Sequence, residues 1–203
     1  MKQQKNKISV LEQQLRQNET LYHNACEVFG GSPRVFRHYS PAEEMSIDIL
    51  TGTDTPRQGE VSCATLGVMH YPVGQRVGKK PLRFELCGIC RAEYEDFPEL
   101  ISRCAVQIMT AQAKCTAGTV WEDSVRTYIP ESKMHHILLA PFSLWDKSLS
   151  DQTFDDICVR WMAVLLISEE EYAYLKQTGL NALLNLFEEK KEILSDPLRE
   201  SIL

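Results

Sequence analysis

The sequence feature that most constrains the fold is an apolar run over residues 157–167, which only Arg160 interrupts. A run of this length suits a central β-strand that is buried on both faces. It is far shorter than the roughly 18 to 20 apolar residues that a membrane-spanning helix needs. Residues 168–171, Ser-Glu-Glu-Glu, follow directly. They predict a capping box, in which the serine and the last glutamate exchange hydrogen bonds at a helix N-terminus. We expect that helix to end before Gly179.

The rest of the chain supplies further helix and strand patterns. Apolar residues recur at helical spacing over residues 7–29, over residues 96–113 and again after Gly179. We expect strands at residues 34–39, 45–50, 61–71, 82–86, 117–129 and 135–142. Strands that come in groups between isolated helices are typical of the α+β class. The sequence therefore predicts a single α+β domain, with a mixed, mainly antiparallel sheet flanked by helices.

Acidic side chains are concentrated in the last quarter of the chain. Residues 1–150 carry 17 acidic and 17 basic side chains, whereas residues 151–203 carry 11 acidic and 5 basic ones and so hold the entire net charge of −6. A protein that binds a phosphate backbone needs clustered lysines and arginines, because counterion release drives its binding. We therefore expect no nucleic-acid partner and instead a basic protein partner.

The N-terminus and the cysteine content indicate a cytosolic protein. The first seven residues are basic, but Glu12, Gln13, Gln14 and Arg16 stand where a signal peptide would have its apolar segment. The seven cysteines are odd in number and lack the spacing of a disulfide framework, as expected for reduced thiols in a reducing compartment. We also expect no association with a membrane.

Cys87 and Cys90 form a C-x-x-C motif, which is typical of redox pairs and of half zinc sites. On a regular strand, residues three apart point to opposite faces and lie about 10 Å apart. A disulfide needs Cα atoms less than about 7 Å apart, so a bulge at Gly88 would have to bring the pair together. With Cys63 and His70, the pair makes an alternative four-ligand zinc set. The interpretation we favour is buried structural thiols, with no metal and no cofactor.

No residue pattern in the sequence indicates catalysis. The chain contains neither an H-E-x-x-H zinc motif nor a G-x-S-x-G nucleophile elbow. The glycine-rich loop at residues 74–80 has three residues between its glycines and lacks the Ser or Thr of a phosphate-binding loop. The paired carboxylates at residues 155–156 and 169–171 are explained by a polar turn and a helix start. We therefore expect a protein that is not an enzyme.

Two kinds of residue mark a candidate partner-binding surface. Trp145 follows a predicted strand into a loop, so it is either a partly exposed anchor for a partner or a cover for one edge of the core. The carboxylates of the acidic last quarter are the other kind. The predicted surface consists of Trp145, Asp151, Asp155, Asp156, Glu169 and Glu170.

Residues 157–172, ICVRWMAVLLISEEEY, together with residues 179–184, GLNALL, resemble the suppressor-of-fused domain. In that family a buried strand of the type V-x-W-(apolar)-I-(S/T)-x-x-E leads into a helix, then a glycine and a leucine-rich helix. Three more elements are similar in order and spacing: the strand at residues 82–86, the helix near residues 96–113 and the strand at residues 138–142.

With the helix predicted from apolar spacing, the chain divides into an N-terminal amphipathic helix at residues 1–30 and an α+β domain at residues 31–203. The resemblance spans residues 35–190 and implies a non-catalytic protein-binding module. Eukaryotic members carry a second lobe and hold a transcription-factor peptide by strand addition between the lobes. We expect no such clamp in a chain of 203 residues, which leaves no room for that lobe. Single-domain bacterial members are thought to act as immunity proteins that neutralise polymorphic toxins, often nucleases.

The function we expect is therefore that of an immunity protein, which neutralises a toxin such as a nuclease through its acidic surface. One alternative is a regulatory or scaffold protein that binds a peptide or a transcription-factor-like partner. Another is self-association through the helix at residues 7–29, with packing of that helix on its own sheet as the competing interpretation.

Overall fold

The computed structural model describes residues 2–40, 44–110 and 115–203. Within these ranges the chain forms four helices, nine strands and two 3₁₀ turns. In chain order they are α1 (Lys2–Phe29), β1 (Arg34–Tyr39), β2 (Ser46–Thr53), β3 (Glu60–Leu66), the turn Val68–His70, β4 (Arg76–Val77), β5 (Lys80–Arg91), α2 (Phe97–Met109), β6 (Thr119–Trp121), β7 (His136–Ala140), β8 (Gln152–Thr153), β9 (Cys158–Ile167), α3 (Glu169–Thr178), α4 (Leu180–Glu189) and the turn Lys191–Ile193.

The strands form one sheet in the order β1-β2-β3-β5-β9-β7-β6, with β4 beside the start of β5 and β8 beside the start of β9. The β5–β9 pair is parallel and runs in register from Leu82 opposite Cys158 to Cys87 opposite Ala163. The other pairs in the described ranges are antiparallel. The architecture is therefore the single α+β domain that the sequence predicts, with a mixed and mostly antiparallel open sheet.

Each face of the sheet carries its own hydrophobic core. Helix α2 packs on one face, where Met162 and Val164 of β9 are buried. Helices α1, α3 and α4 cover the other face, where Trp161 and Ala163 are buried. Because both sets of alternating side chains are buried, β9 is the central strand that the apolar run predicts.

The junction between β9 and α3 confirms the predicted capping box. The main-chain N–H of Glu171 donates to Ser168 Oγ at 3.2 Å, and the main-chain N–H of Ser168 donates to Glu171 Oε2 at 3.1 Å. Helix α3 then ends at Gly179, whose φ of +86° is a conformation that favours glycine. Helix α4 follows at once, with Leu183 and Phe187 buried.

Each end of the sheet is closed by a segment that a buried glutamate holds. We call the end where β5 and β9 begin the amino end, and the end where both strands finish the carboxyl end. At the amino end, the turn Val68–His70 follows β3, and its main-chain N–H groups donate to Glu85. At the carboxyl end, the C-terminal segment hydrogen-bonds to the ends of β5 and β9. Its Arg199 donates to both oxygens of Glu171.

Several predicted elements are shorter in the structure. The strand expected to reach residue 71 ends at Leu66, because Glu85 lies opposite that point and captures the main-chain N–H groups of Gly67 and the two residues after it. The strand expected at residues 117–129 is limited to Thr119–Trp121. Helix α2 ends at Met109, and residues 111–113 of the predicted helix lie outside the described residues.

Candidate protein-binding surfaces

The structure divides the five predicted acidic residues between two places. Asp151, Asp155 and Asp156 lie just before β9 begins, at the amino end of the sheet. Glu169 and Glu170 open α3, immediately after β9 ends. A ten-residue strand spans about 30 Å. The two groups therefore do not form one continuous surface.

Charges of both signs are interleaved at the amino end. Asp151 Oδ2 lies 3.2 Å from Arg160 Nε. Burial lowers the pKa of His70. The charge of Asp156 raises this pKa and the charge of Arg83 lowers it, so the carboxylate and the guanidinium both lie close to the imidazole. A partner that approaches this end meets nearly balanced charge.

Glu169 and Glu170 are held by hydrogen bonds at the N-terminus of α3. The main-chain N–H of Asp123 donates to Nδ1 of the buried His136 at 3.1 Å. The hydrogen of His136 is therefore on Nε2, which donates to Glu169 Oε2 at 2.8 Å. Hydrogen bonds from its own main-chain N–H and from Ser168 lower the pKa of the exposed Glu170. Both carboxylates lie in the first turn of α3, where the positive end of the helix dipole stabilises negative charge.

Three more acidic residues gather at the carboxyl end around Tyr94. Burial raises the pKa of Tyr94, and the negative charges of Asp196, Glu93 and Glu131 raise it further, so all three carboxylates lie near the phenol. Arg91 Nη2 is 3.4 Å from Asp196 Oδ2 and offsets part of this charge. The three acids come from separate segments of the chain, so charge counting along the sequence did not group them.

A cleft of about 260 Å³ at the same end lies between α3 and the C-terminal segment. Its lining includes Glu169, Glu170 and Glu200, together with Lys133, which pairs with Glu200. We call the carboxylates of this end the acidic end surface. It comprises Glu93, Glu131, Glu169, Glu170, Asp196 and Glu200.

The C-terminal segment assembles the acidic end surface. The main-chain N–H of Arg91 donates to the Ser195 carbonyl at 2.9 Å, and that of Lys133 donates to the Pro197 carbonyl at 2.9 Å. These bonds fix Asp196 beside the segments that carry Glu93 and Glu131. The one signal in the sequence was Arg199, the single basic residue between positions 192 and 203.

Trp145 is a core residue, which corrects the interpretation of this side chain as a partly exposed anchor. It is 2% exposed, and its ring stacks on Phe29 of α1 with the ring centroids 5.1 Å apart. Its Nε1 donates to Ser62 Oγ at 2.9 Å. Trp145 therefore covers one edge of the core and is not a protruding anchor.

The alternative zinc set is also corrected. Cys63 and Cys90 lie in the core beneath α2, whereas Cys87 lies in the core on the opposite face of the sheet. His70 is in the turn after β3, where its Nε2 lies 3.0 Å from Asn18 Oδ1. Gly88 makes no bulge, because β5 pairs with β3 without interruption across it. Among the described residues, no group of three or more His, Cys, Asp and Glu is placed to hold a metal ion.

Gly88 instead allows α2 to pack closely against β5. A Cβ at this position would lie 2.9 Å from Cζ of Phe97, which is closer than side chains allow.

Burial raises the pKa of the Cys63 thiol to about 12 and raises the pKa of the Cys87 and Cys90 thiols as well. These thiols therefore remain protonated at neutral pH, where they are weak nucleophiles.

A group of exposed apolar side chains lies on the edge strand β1. In the described part of the chain, β1 hydrogen-bonds to β2 alone, so its other edge faces outward. Val35, Phe36 and Tyr39 on this strand are 43%, 51% and 55% exposed. An edge strand with exposed apolar side chains offers main-chain hydrogen bonds to an extended segment.

Helix α1 has one buried and one exposed half. Ala25 and Phe29 in its second half are buried against the sheet, whereas Leu11 and Leu15 in its first half are exposed. Packing of the helix on its own sheet therefore accounts for its second half. Neither α1 nor any other helix in the described ranges is long and apolar enough to cross a membrane.

Comparison with known proteins identifies the family. Residues 43–200 match the family model described as suppressor of fused protein (SUFU). The chain belongs to the SUFU family. It is 29% identical over 187 residues to the immunity protein YqcF of Bacillus subtilis (strain 168), an alignment that covers 92% of this chain and 97% of that protein.

Solved structures show that the SUFU fold extends beyond the matched residues. A chain in the Sufu-Fu complex crystal structure superposes with a TM-score of 0.64 at 11% identity, and the alignment covers 91% of each chain. The crystal structure of Drosophila Suppressor of Fused gives a TM-score of 0.55 at 12% identity, over 77% of this chain and 42% of that one. At these identities the likeness is one of fold.

The residues that carry the SUFU resemblance in the sequence are structural. They form the central strand β9, the capping box at Ser168 and Glu171, and the buried face of α4. None of these features is exposed enough to select a partner. The family pattern therefore fixes the scaffold, and the contact surface has to be sought among the exposed residues.

Proposed function

We propose that this SUFU chain is a cytosolic immunity protein that neutralises a protein toxin by binding it, without catalysis. The observation that carries the proposal is the alignment with the immunity protein YqcF, which runs over nearly the full length of both chains. The acidic balance of the chain supports a basic toxin as the partner. A nuclease fits this description, because its substrate cleft is cationic and a carboxylate-rich surface can occupy it.

The acidic end surface is the contact we propose for the toxin. Its six carboxylates come from four segments that the fold draws together, and Arg91 and Lys133 pair with two of them, Asp196 and Glu200. The three aspartates at the amino end, Asp151, Asp155 and Asp156, belonged to the surface expected from the sequence. They are the weaker candidates, because Arg160 and Arg83 lie beside them.

The proposal is tested first by capture and rescue. The chain is used to capture partners from a lysate of the source organism at low salt, and the captured protein is then expressed in a host with and without this chain. We expect a basic partner that binds one to one, dissociates in high salt, and arrests growth unless this chain is present. A captured partner that is harmless, or whose toxicity this chain does not relieve, contradicts the immunity role.

The contact surface is tested by two matched charge reversals. The Glu169→Lys/Glu170→Lys variant changes the carboxyl end, and the Asp155→Lys/Asp156→Lys variant makes the same charge change at the amino end. We expect the first to weaken toxin binding by more than about tenfold and to reduce its dependence on salt, whereas the second changes affinity less than about threefold. Equal effects, or a larger effect of the second variant, contradict the assignment.

A second candidate function is a regulatory module that binds an extended peptide, and the outward edge of β1 favours it. Binding at this edge rests on main-chain hydrogen bonds and apolar side chains, so salt affects it little. In that case Val35→Glu/Phe36→Glu abolishes binding of the captured partner, whereas Glu169→Lys/Glu170→Lys leaves it unchanged. The salt dependence of the wild-type complex separates the two functions before any variant is made.

A further inference from the structure

A cleft lined by aromatic rings opens on the face of the sheet that α1 and α4 cover. It holds about 210 Å³ and lies between the loop that follows β7 and the first half of β9. The rings of Phe142, Trp145 and Trp161 line it, and Asp151 is the carboxylate in its wall. Nothing in the proposed toxin contact accounts for this arrangement, because the cleft lies away from the acidic end surface.

The two tryptophans have no hydrogen-bond donor left to offer a ligand. Trp145 Nε1 donates to Ser62 Oγ at 2.9 Å, and Trp161 Nε1 donates to the Ser150 carbonyl at 3.2 Å. The two indoles are 2% and 7% exposed, so each contributes a small patch of ring surface to the cleft, and aromatic ring surface attracts a cation. Two serines complete the lining, Ser143 and Ser148, and their hydroxyl oxygens can accept hydrogen bonds.

The charge of the cleft has one sign. Among the described residues that line it, Asp151 is ionisable and negative, and none is basic. Asp151 pairs with Arg160 at 3.2 Å, but both side chains are about half exposed, and exposed pairs of this kind exchange readily. Lys191 lies outside the lining, with Nζ 3.1 Å from the Trp145 carbonyl and 5.9 Å from the Phe142 ring centroid. An aromatic wall beside a carboxylate whose present partner is exposed and exchangeable fits a cation better than an apolar or anionic group.

We propose that this cleft receives a cationic side chain, arginine or lysine, from the protein partner. The inference rests on the proposed function only in taking a protein as the source of the cation. The guanidinium or ammonium group lies against the aromatic rings and replaces Arg160 as the partner of Asp151. The aliphatic stem fills the apolar part of the cleft, as long basic side chains commonly do.

The experiment uses a small probe, so that no partner has to be known. n-Butylguanidinium reproduces the arginine side chain, and n-butylurea is a neutral analogue of the same shape. The chain has three tryptophans, whose indole N–H signals are followed by ¹H–¹⁵N NMR during each titration. We expect n-butylguanidinium to shift the signals of Trp145 and Trp161 with a dissociation constant on the order of 1 mM. Trp121, which packs on the α2 side of the sheet, is the internal control and stays unshifted.

Three variants locate the probe. Asp151→Asn removes the charge and keeps the shape, and we expect it to weaken n-butylguanidinium binding about fivefold. Asp146→Asn is the matched control, because it removes an exposed charge from the same loop outside the lining, and it leaves binding unchanged. Arg160→Gln removes the competing cation, so it strengthens binding about twofold.

The outcomes separate this proposal from the immunity role. Equal shifts with n-butylurea, no loss in Asp151→Asn, or shifts that spread to Trp121 overturn the cleft assignment. A toxin that this chain neutralises, together with a cleft that ignores n-butylguanidinium, overturns the cleft assignment alone. Charge-selective binding of n-butylguanidinium supports the cleft even if the captured partner proves not to be a toxin.

Discussion

The two ends of the sheet are closed in the same way but with different chemistry. At the amino end, the fully buried Glu85 accepts hydrogen bonds from Thr65 Oγ1 and from the main-chain N–H groups of Gly67 and Met69, the latter two at 2.7 and 3.1 Å. At the carboxyl end, the fully buried Glu171 is bound by the guanidinium of Arg199. One carboxylate is held by neutral donors and the other by a cation.

This difference decides whether the buried carboxylate at each end is compensated by a positive charge. Burial raises the pKa of Glu85 to about 7, because the hydrogen bonds it receives lower the pKa by less than burial raises it. At the carboxyl end, Arg199 neutralises the buried charge of Glu171. The exposed carboxylates of the acidic end surface are therefore not repelled by an unpaired charge at Glu171. The carboxyl end can therefore stay negative and folded at the same time.

The largest effect we expect is on the carboxyl end. Arg199→Met removes the cation and leaves Glu171 charged and buried, which lowers the free energy of unfolding by about 3–5 kcal/mol. Urea denaturation of the purified protein measures this loss. Adding Glu171→Gln to the variant recovers part of it, because the unpaired charge is then gone. The control is Lys133→Met, which breaks an exposed pair with Glu200 on the same segment and costs at most about 1 kcal/mol. A small loss in Arg199→Met would mean that the pair does not hold the segment.

At the amino end we expect a dependence on pH. The pKa of Glu85 in the folded protein, about 7, is above the ordinary value of 4.5, so the folded state keeps this proton to a higher pH than the unfolded chain does. The contribution of Glu85 to stability is therefore complete below about pH 4.5 and is lost as pH rises to about 7, by an amount on the order of 3 kcal/mol.

Glu85→Gln tests this dependence, because it removes the titrating group and keeps the shape of the side chain. Urea denaturation at several pH values is expected to show a slope in the wild type between pH 4.5 and 7 that is absent from Glu85→Gln. The exposed Glu12 provides the control, since Glu12→Gln leaves the slope in place. An unchanged slope in Glu85→Gln would assign the pH dependence to another group.

The same two ends show what sequence reasoning reaches and what it does not. The capping box at Ser168 and the burial of β9 follow from local spacing, and both were predicted. The pair between Glu171 and Arg199 joins residues 28 positions apart, and the bonds to Glu85 join β5 to a turn before it, so no local pattern contains them. Trp145 was ambiguous for a related reason, because its burial depends on Phe29 of a distant helix.

A smaller effect sharpens the comparison at the start of α3. Ser168→Ala removes the side-chain half of the capping box and is expected to cost about 1 kcal/mol of unfolding free energy. Glu171 keeps its bonds to Arg199, so the C-terminal segment stays attached and hydrogen exchange at Ile202 N–H, which donates to Glu171, changes little. Ser32→Ala, at an exposed serine in a loop, is the neutral control. Rapid exchange at Ile202 in Ser168→Ala would show that the capping box and the buried pair act as one unit.

The smallest effect separates folding from binding at the two acidic groups. Glu169→Gln/Glu170→Gln removes two charges from the first turn of α3, where the helix dipole stabilises them, and is expected to cost about 0.5–1 kcal/mol of unfolding free energy. Asp155→Asn/Asp156→Asn removes two charges from a turn that opens no helix, and it is expected to change the free energy by less than about 0.5 kcal/mol. Urea denaturation at low salt measures both, and the first loss shrinks as salt rises because screening weakens the dipole interaction. If the aspartate variant costs as much as the glutamate variant, the amino end relies on its exposed charges as well, and the contrast between the two ends is confined to their buried glutamates.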